Sequence, residues 1–256
     1  MKRKRRIGRD EIVGTCKLHK EFYSENLNNS RNIIVWLPPG YKKQRNMFKK
    51  YPVLYMHDGQ NIIDPKTAFA GKDWRVDETV VRLSKARRMK EIIVVGIYNT
   101  QERLEEYSYC GRGHQYLKFV VDELKPFIDS NYRTLPDRIN TAVMGSSMGG
   151  LISFIAGWKY DDVFSMVGCM SSSFYYDNEK VFEMINEYKG PRKKVKFYID
   201  HGEDGLLRGQ RMFCRLTGIG YVIGKDIDYF YARGAEHNET AWAERLERPL
   251  LFFFGI

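Results

Sequence analysis

The 256-residue chain is 43% hydrophobic and 29% charged, with a formal net charge of +10; that is enough chain to bury a sizeable core, and the composition is that of a water-soluble globular protein. No apolar run reaches the length of a membrane span, and Met1-Lys-Arg-Lys-Arg-Arg6 is followed by polar and charged residues where a secretory signal needs an apolar stretch, so a cytoplasmic protein with no membrane partner is expected. Cys16, Cys110, Cys169 and Cys214 are too widely spaced for a C-x-x-C pair, which argues against a zinc site or disulfide framework and leaves free thiols.

Six of the positive charges come from Lys2, Arg3, Lys4, Arg5, Arg6 and Arg9, leaving +4 for everything else. A solvated basic arm over residues 1–13 and one α/β domain over 14–256 is therefore the expected organisation. No RNP aromatic motif, helix-turn-helix or zinc-finger spacing supports a nucleic-acid partner.

In chain order, Gly14 to Phe22 is predicted as an edge strand and Arg31 to Leu37 as the next, stopped by Pro38-Pro39-Gly40. A lysine-rich loop leads to Tyr51–Met56, which is apolar on both faces, as a buried parallel strand should be. Trp74 to Arg88 is predicted as helix, Glu91 to Ile97 as strand, Gln115 to Ile128 as helix, and Ile139 to Met144 as strand. Strand over Phe164–Met170, helix over Lys180–Tyr188, strand over Val195–Ile199, helix over Leu206–Leu216, strand over Ile227–Ala232 and a closing helix over Thr240–Phe253 follow. This alternation implies right-handed crossovers and a mostly parallel sheet with helices on both faces.

In such a sheet ligands bind at the carboxyl ends of the strands. Gly145-Ser-Ser-Met-Gly149 fits G-x-S-x-G, the turn that lifts a serine hydroxyl above the sheet edge, and nominates Ser147 as nucleophile. A serine needs an imidazole to take its proton, and the imidazole needs a carboxylate to hold it. His237, in the loop after the last strand, is the candidate base; Asp204, after the Val195 strand, is the candidate acid, with Glu203 and Asp200 as rivals. Backbone amides of Met148 and Gln60 are the candidate oxyanion donors. His57 and Asp58 are expected to brace the oxyanion loop, a second acid/base pair being the lesser alternative, and His201 could face substrate or finish a strand. No metal or organic cofactor is called for.

These residues carry a resemblance. Leu37-Pro-Pro-Gly-Tyr41, Tyr51-Pro-Val-Leu-Tyr-Met-His-Asp-Gly-Gln60, Arg103 with Glu106-Tyr107, Gly145-Ser-Ser-Met-Gly-Gly150 and Gly234-Ala-Glu-His-Asn-Glu-Thr-Ala-Trp242 resemble motifs of the putative-esterase family of α/β-hydrolases. That group includes enterochelin, feruloyl and acetylxylan esterases, S-formylglutathione hydrolases and mycolyltransferases. The resemblance implies Ser147 as nucleophile, His237 as base, and the Gln60 and Met148 amides as oxyanion hole. The chain departs from the pattern after the seventh strand, where Gly202-Glu203-Asp204 is one residue shorter than Gly-x-x-Asp or Gly-x-x-Glu.

The stretch between the Phe164 and Val195 strands holds one predicted helix, so a minimal lid and an open cleft are expected, rimmed by Phe174, Tyr175 and Tyr176 with Trp74 and Trp242. The expected activity is ester hydrolysis on a small-molecule or carbohydrate-linked aryl, feruloyl, acetyl-sugar or catecholate ester. Acyl transfer, thioester hydrolysis and an inert binding protein on the same fold are the alternatives, and oligomeric state is left open.

Overall fold

A computed structural model describes residues 12–203 and 206–256, the side chain of Leu206 excepted. Eight strands form one sheet in the order β1-β2-β4-β3-β5-β6-β7-β8. They are β1 (Thr15–Ser24), β2 (Asn29–Leu37), β3 (Val53–His57), β4 (Ile93–Ile97), β5 (Thr141–Ser146), β6 (Met166–Met170), β7 (Lys196–His201) and β8 (Ile227–Tyr231). The β1–β2 and β2–β4 pairings are antiparallel, and every pairing from β4 through β8 is parallel. Every residue of β3, β4, β5 and β6 is buried, because helices cover both sheet faces.

Alternate strand residues feed two cores. Tyr55, Val95, Val143 and Phe197 point to one face, under α3 (Gly113–Lys118), α4 (Lys125–Asn131), α5 (Met148–Lys159), α6 (Tyr176–Glu187) and α7 (Leu206–Gly218). Leu54, Val94, Met144 and Tyr198 point to the other, under α1 (Val76–Lys85), α8 (Glu239–Arg245) and α9 (Glu247–Phe254). A short helix α2 (Arg103–Glu106) follows β4. Among the described residues no helix is long and apolar enough to cross a membrane.

Three predicted elements change shape. The strand expected from Ile139 begins at Thr141; Arg138–Asn140 is a 3-10 turn and Ile139 is 68% exposed. Asp137 causes this by accepting from Asn140 Nδ2 through its carboxylate and from Thr141 Oγ1 through its carbonyl, side-chain bonds that compete with strand pairing. The helix expected over Gln115–Ile128 runs through a π-helical segment, Phe119–Leu124, between α3 and α4. The closing helix is two, α8 and α9, since Pro249 cannot donate an N–H and crowds the carbonyl of Arg245. Between β6 and β7 the only helix among the described residues is α6, so the lid is minimal, as expected.

Candidate active site

The carboxyl ends of β3, β5, β6, β7 and β8 lie on one edge of the sheet, and the chemistry collects there. At the end of β5 the chain passes from strand to helix through a single residue. Ser147 sits at φ 55°, ψ −124°, a conformation that L-residues avoid at a cost of about 1–3 kcal/mol, and α5 starts at the next residue.

Four backbone hydrogen bonds hold that strain in place. Ser147 N donates to Met170 O at 3.0 Å, and Ser147 O accepts from Gly150 N, Leu151 N and Ser173 N at 3.1, 3.1 and 3.0 Å. The glycines on either side have steric reasons. A Cβ on Gly145 would stand 2.6 Å from the Gly149 carbonyl carbon, and one on Gly150 would stand 2.0 Å from Ser172 Oγ. The Ser147 hydroxyl is half-exposed, 3.2 Å from the buried Ser173 Oγ. Met148 is the first residue of α5, where backbone N–H groups have no intrahelical acceptor and carry the positive end of the helix dipole.

The second predicted donor lies on the neighbouring strand. After β3, Asp58 takes a left-handed conformation (φ 56°) and Gly59-Gln60-Asn61 forms a 3-10 turn. Gly59 packs backbone to backbone on β4: a Cβ there would stand 2.4 Å from the Gly96 carbonyl carbon. Gln60 is anchored at both ends, its Oε1 accepting from Asn99 N at 3.2 Å and its carbonyl from Thr67 Oγ1 at 2.6 Å. Asn61 Nδ2 reaches Glu239 at the start of α8 at 3.4 Å.

Asp58 fixes this turn from below. Arg103 grips its carboxylate through two hydrogen bonds, 2.7 and 2.8 Å, and Asn99 Nδ2 adds a third at 2.6 Å. Behind it a second bidentate pair, Arg31 with Glu106 at 2.9 and 2.6 Å, is fully buried. Burial pulls the Glu106 carboxyl up, but the Arg31 hydrogen bonds and charge outweigh it and hold it below the usual carboxylate range.

The family follows from the whole chain. A model of the family described as putative esterase matches residues 24–253. The chain belongs to that family. Within reach of it, 231 residues align at 29% identity with an endo-1,4-beta-xylanase/feruloyl esterase of Xylanibacter ruminicola, covering 89% of this chain and 30% of that one. A Bacillus subtilis protein, YbbA, aligns at 26% identity over 60% of this chain and 62% of its own length. The chain thus spans less than two thirds of these curated relatives. Among solved structures, a ferulic acid esterase superposes with a TM-score of 0.78 at 24% identity, covering 94% of this chain and 98% of that one. The enterobactin esterase of Shigella flexneri superposes at 0.76 and 18% identity, covering 94% and 60%. These likenesses establish the α/β-hydrolase fold.

His237 lies in the loop between β8 and α8, exposed, its ring edge-on to Trp242 with centroids 5.0 Å apart. Asn238, the next residue, caps α8 by accepting from Ala241 N at 3.0 Å, which fixes where the helix begins and the loop ends. Asp204, the predicted acid, lies outside the described residues. Its rivals are committed elsewhere. Asp200, buried at the end of β7, accepts from Ser171 N and meets Arg245 of α8 in an ion pair at 3.1 Å. Glu203 accepts from Gly234 N at 2.9 Å, and a hydrogen bond from Tyr231, followed by that from Gly234, holds its carboxyl below the ordinary range.

Several other expectations are corrected. Asp58 braces the turn after β3, as expected, and it is the lesser alternative of an acid/base pair that falls away: burial, with Arg103 adding to it and Asp58 opposing, pushes His57 down to about 3, and its Nδ1 shares a 2.8 Å hydrogen bond with Tyr116. It is a neutral core residue. His201 does not face a ligand but is 1% exposed, bonded to Gly202 O and Tyr229 Oη. Phe174 is not at a rim; it is fully buried against Phe154 and Phe182. Trp74 and Trp242 are 4% and 6% exposed and pack on each other, leaving Tyr175, at 52%, as the exposed aromatic of the expected set.

Ser171, Ser173 and Arg245 were not singled out by sequence. The serine run after β6 was a usable signal, being polar, small and placed at a strand's carboxyl end beside β5.

Proposed function

We propose that the protein is a serine carboxylic-ester hydrolase working through an acyl-enzyme on Ser147. The observation that carries this is Ser147 itself: a non-glycine residue in a costly backbone conformation, pinned by four backbone hydrogen bonds at the carboxyl end of a central parallel strand. Nothing in packing alone calls for such a residue.

In this reading Ser147 Oγ attacks the ester carbonyl carbon while His237 takes the hydroxyl proton. The carbonyl oxygen gains the electron pair and is met by the N–H groups of Gln60 and Met148. Collapse expels the alcohol, which leaves with the proton returned by His237, and water repeats the sequence on the acyl-enzyme to release the acid. Asp204 is the acid assigned to orient His237; the commitment of Asp200 to Arg245 and of Glu203 to Gly234 supports that choice. An aryl, feruloyl, acetylated-sugar or catecholate ester is the proposed substrate, supported by the feruloyl esterase relative and by the exposed Tyr175 two residues beyond Ser173. Transfer of the acyl group to an alcohol, or hydrolysis of a thioester, would use the same groups.

A fluorophosphonate probe tests the reading directly. The native chain should label and Ser147→Ala should not, with turnover of p-nitrophenyl acetate falling roughly a millionfold. Labelling that survives Ser147→Ala, or a native chain that neither labels nor turns over, would refute it. Methyl ferulate, acetylated xylan and a catecholate trilactone then rank the substrate classes.

A further inference from the structure

The lysine-rich loop between β2 and β3 plays no part in the chemistry above, and it is built to be presented. Five of the nine residues from Lys42 to Lys50 are cationic and none is acidic. Consecutive turns order it: Tyr41 N to Pro38 O, Lys43 N to Gly40 O, and a 3-10 turn at Gln44–Asn46 closed by Asn46 Nδ2 on Gly40 O at 2.9 Å. At its tip Phe48 is 86% exposed and Met47 46%. A phenylalanine held that far into water by an ordered loop belongs to neither core among the described residues.

The fold gathers further charge beside the loop. Lys49 and Lys50 line a cleft of about 680 Å³ with Lys85, Arg87 and Lys90, from the end of α1 and the turn into β4. Its floor is apolar, including Pro39, Pro52, Met89 and Leu135. Glu91 is the one acid among its lining residues, and Lys49 already pairs with it at 2.5 Å. The cleft opens at the amino ends of β3, β4 and β5, the sheet edge opposite Ser147.

We propose that this edge docks on an anionic lipid surface, Phe48 and Met47 entering the headgroup layer and the surrounding lysines and arginines pairing with lipid phosphates. Clustered cations beside an exposed apolar tip are what an anionic bilayer recognises, each cation near the surface contributing independently. A polyanion alone would account for the charges and leave the exposed Phe48 and Met47 without a partner. Docked this way, the chain holds the Ser147 edge toward solvent.

Co-sedimentation of the full chain tests this, using vesicles of phosphatidylcholine alone and of equal parts phosphatidylcholine and phosphatidylglycerol. Binding should need phosphatidylglycerol and weaken with salt. Phe48→Ser should weaken it several-fold, and Lys85→Glu with Arg87→Glu and Lys90→Glu by at least about fivefold per site. Turnover of p-nitrophenyl acetate in solution should be unchanged in both variants, which also shows them folded. Equal binding to both vesicles, or binding that neither variant alters, would overturn the proposal, the latter assigning any affinity to the basic arm. Tighter binding to polyuridylic acid, lost with the three charges but kept in Phe48→Ser, would also overturn it, in favour of a nucleic-acid surface.

Discussion

Arg245→Met should be strongly destabilising. Arg245 and Asp200 are 4% and 0% exposed at the side chain and 3.1 Å apart, and Arg245 also donates to Ser171 Oγ at 2.8 Å and Ala241 O at 2.9 Å. Methionine keeps the volume and loses the charge, leaving the Asp200 carboxylate in the core without its cation, though Ser171 N still donates to it. Breaking one side of a buried ion pair costs about 3–5 kcal/mol, or roughly 10 °C in melting temperature for a chain of this size. The sign of its pH dependence follows from burial. Desolvation already pushes the Asp200 carboxyl above its ordinary value, with Arg245 opposing, so removing Arg245 pushes it higher. A raised carboxyl means the folded state holds a proton that the unfolded state releases, so the loss grows as pH rises from acid to neutral and shrinks toward low pH. Urea denaturation at pH 5 and pH 8, with Asp200→Asn and the double variant, measures both effects. The double variant should recover about half of the loss, since it buries no charge. A loss under about 1 kcal/mol, no change with pH, or strictly additive single changes would refute the account.

Four further outcomes are expected. His57 takes up a proton only near pH 3 when folded but near 6.5 when unfolded, so it drains stability as pH falls between those values; His57→Gln should flatten that acid slope by about 1.4 kcal/mol per pH unit, read by urea denaturation at pH 4 and 6. Burial, with the charges of Glu78 and Asp73 adding to it, lifts the Asp77 carboxyl to about 6 against the hydrogen bond from Val13 N, so ionising it costs stability as pH rises through 4 to 6; Asp77→Asn should raise stability at pH 8 by about 2 kcal/mol and change it little at pH 4, measured by thermal melting. Ser173→Ala removes a hydroxyl 3.2 Å from Ser147 Oγ and should lower kcat by roughly tenfold or less while fluorophosphonate labelling persists, whereas Gly145→Ala, whose Cβ meets backbone at 2.6 Å, should abolish labelling.

The parts of this molecule that were legible in sequence are those whose causes are local. β3 and β4 declare themselves because a strand buried on both faces is apolar at every position, and Gly145 and Gly150 because each is demanded by an atom within a few residues or one strand away. The failures have causes that lie far along the chain or compete at short range. Ile139 looks like strand until Asp137 accepts from the Asn140 N–H and from the side chains of Asn140 and Thr141, which closes a turn instead. Phe174 and Tyr175 are neighbours of similar character, and only the packing of Phe154 and Phe182 decides which one is buried. The carboxylates after β7 make the point most sharply. In sequence Asp200, Glu203 and Asp204 all follow the same predicted strand, and spacing cannot rank them, because the guanidinium that pairs with Asp200 lies on α8 and the amide that donates to Glu203 is that of Gly234. The same guanidinium bonds Ser171 across a separation of 74 residues, and Ser173 in turn bonds Ser147. A carboxylate at a strand end is therefore free for catalysis only if no buried cation has claimed it, so in this fold the structural ion pair and the choice of acid are one question.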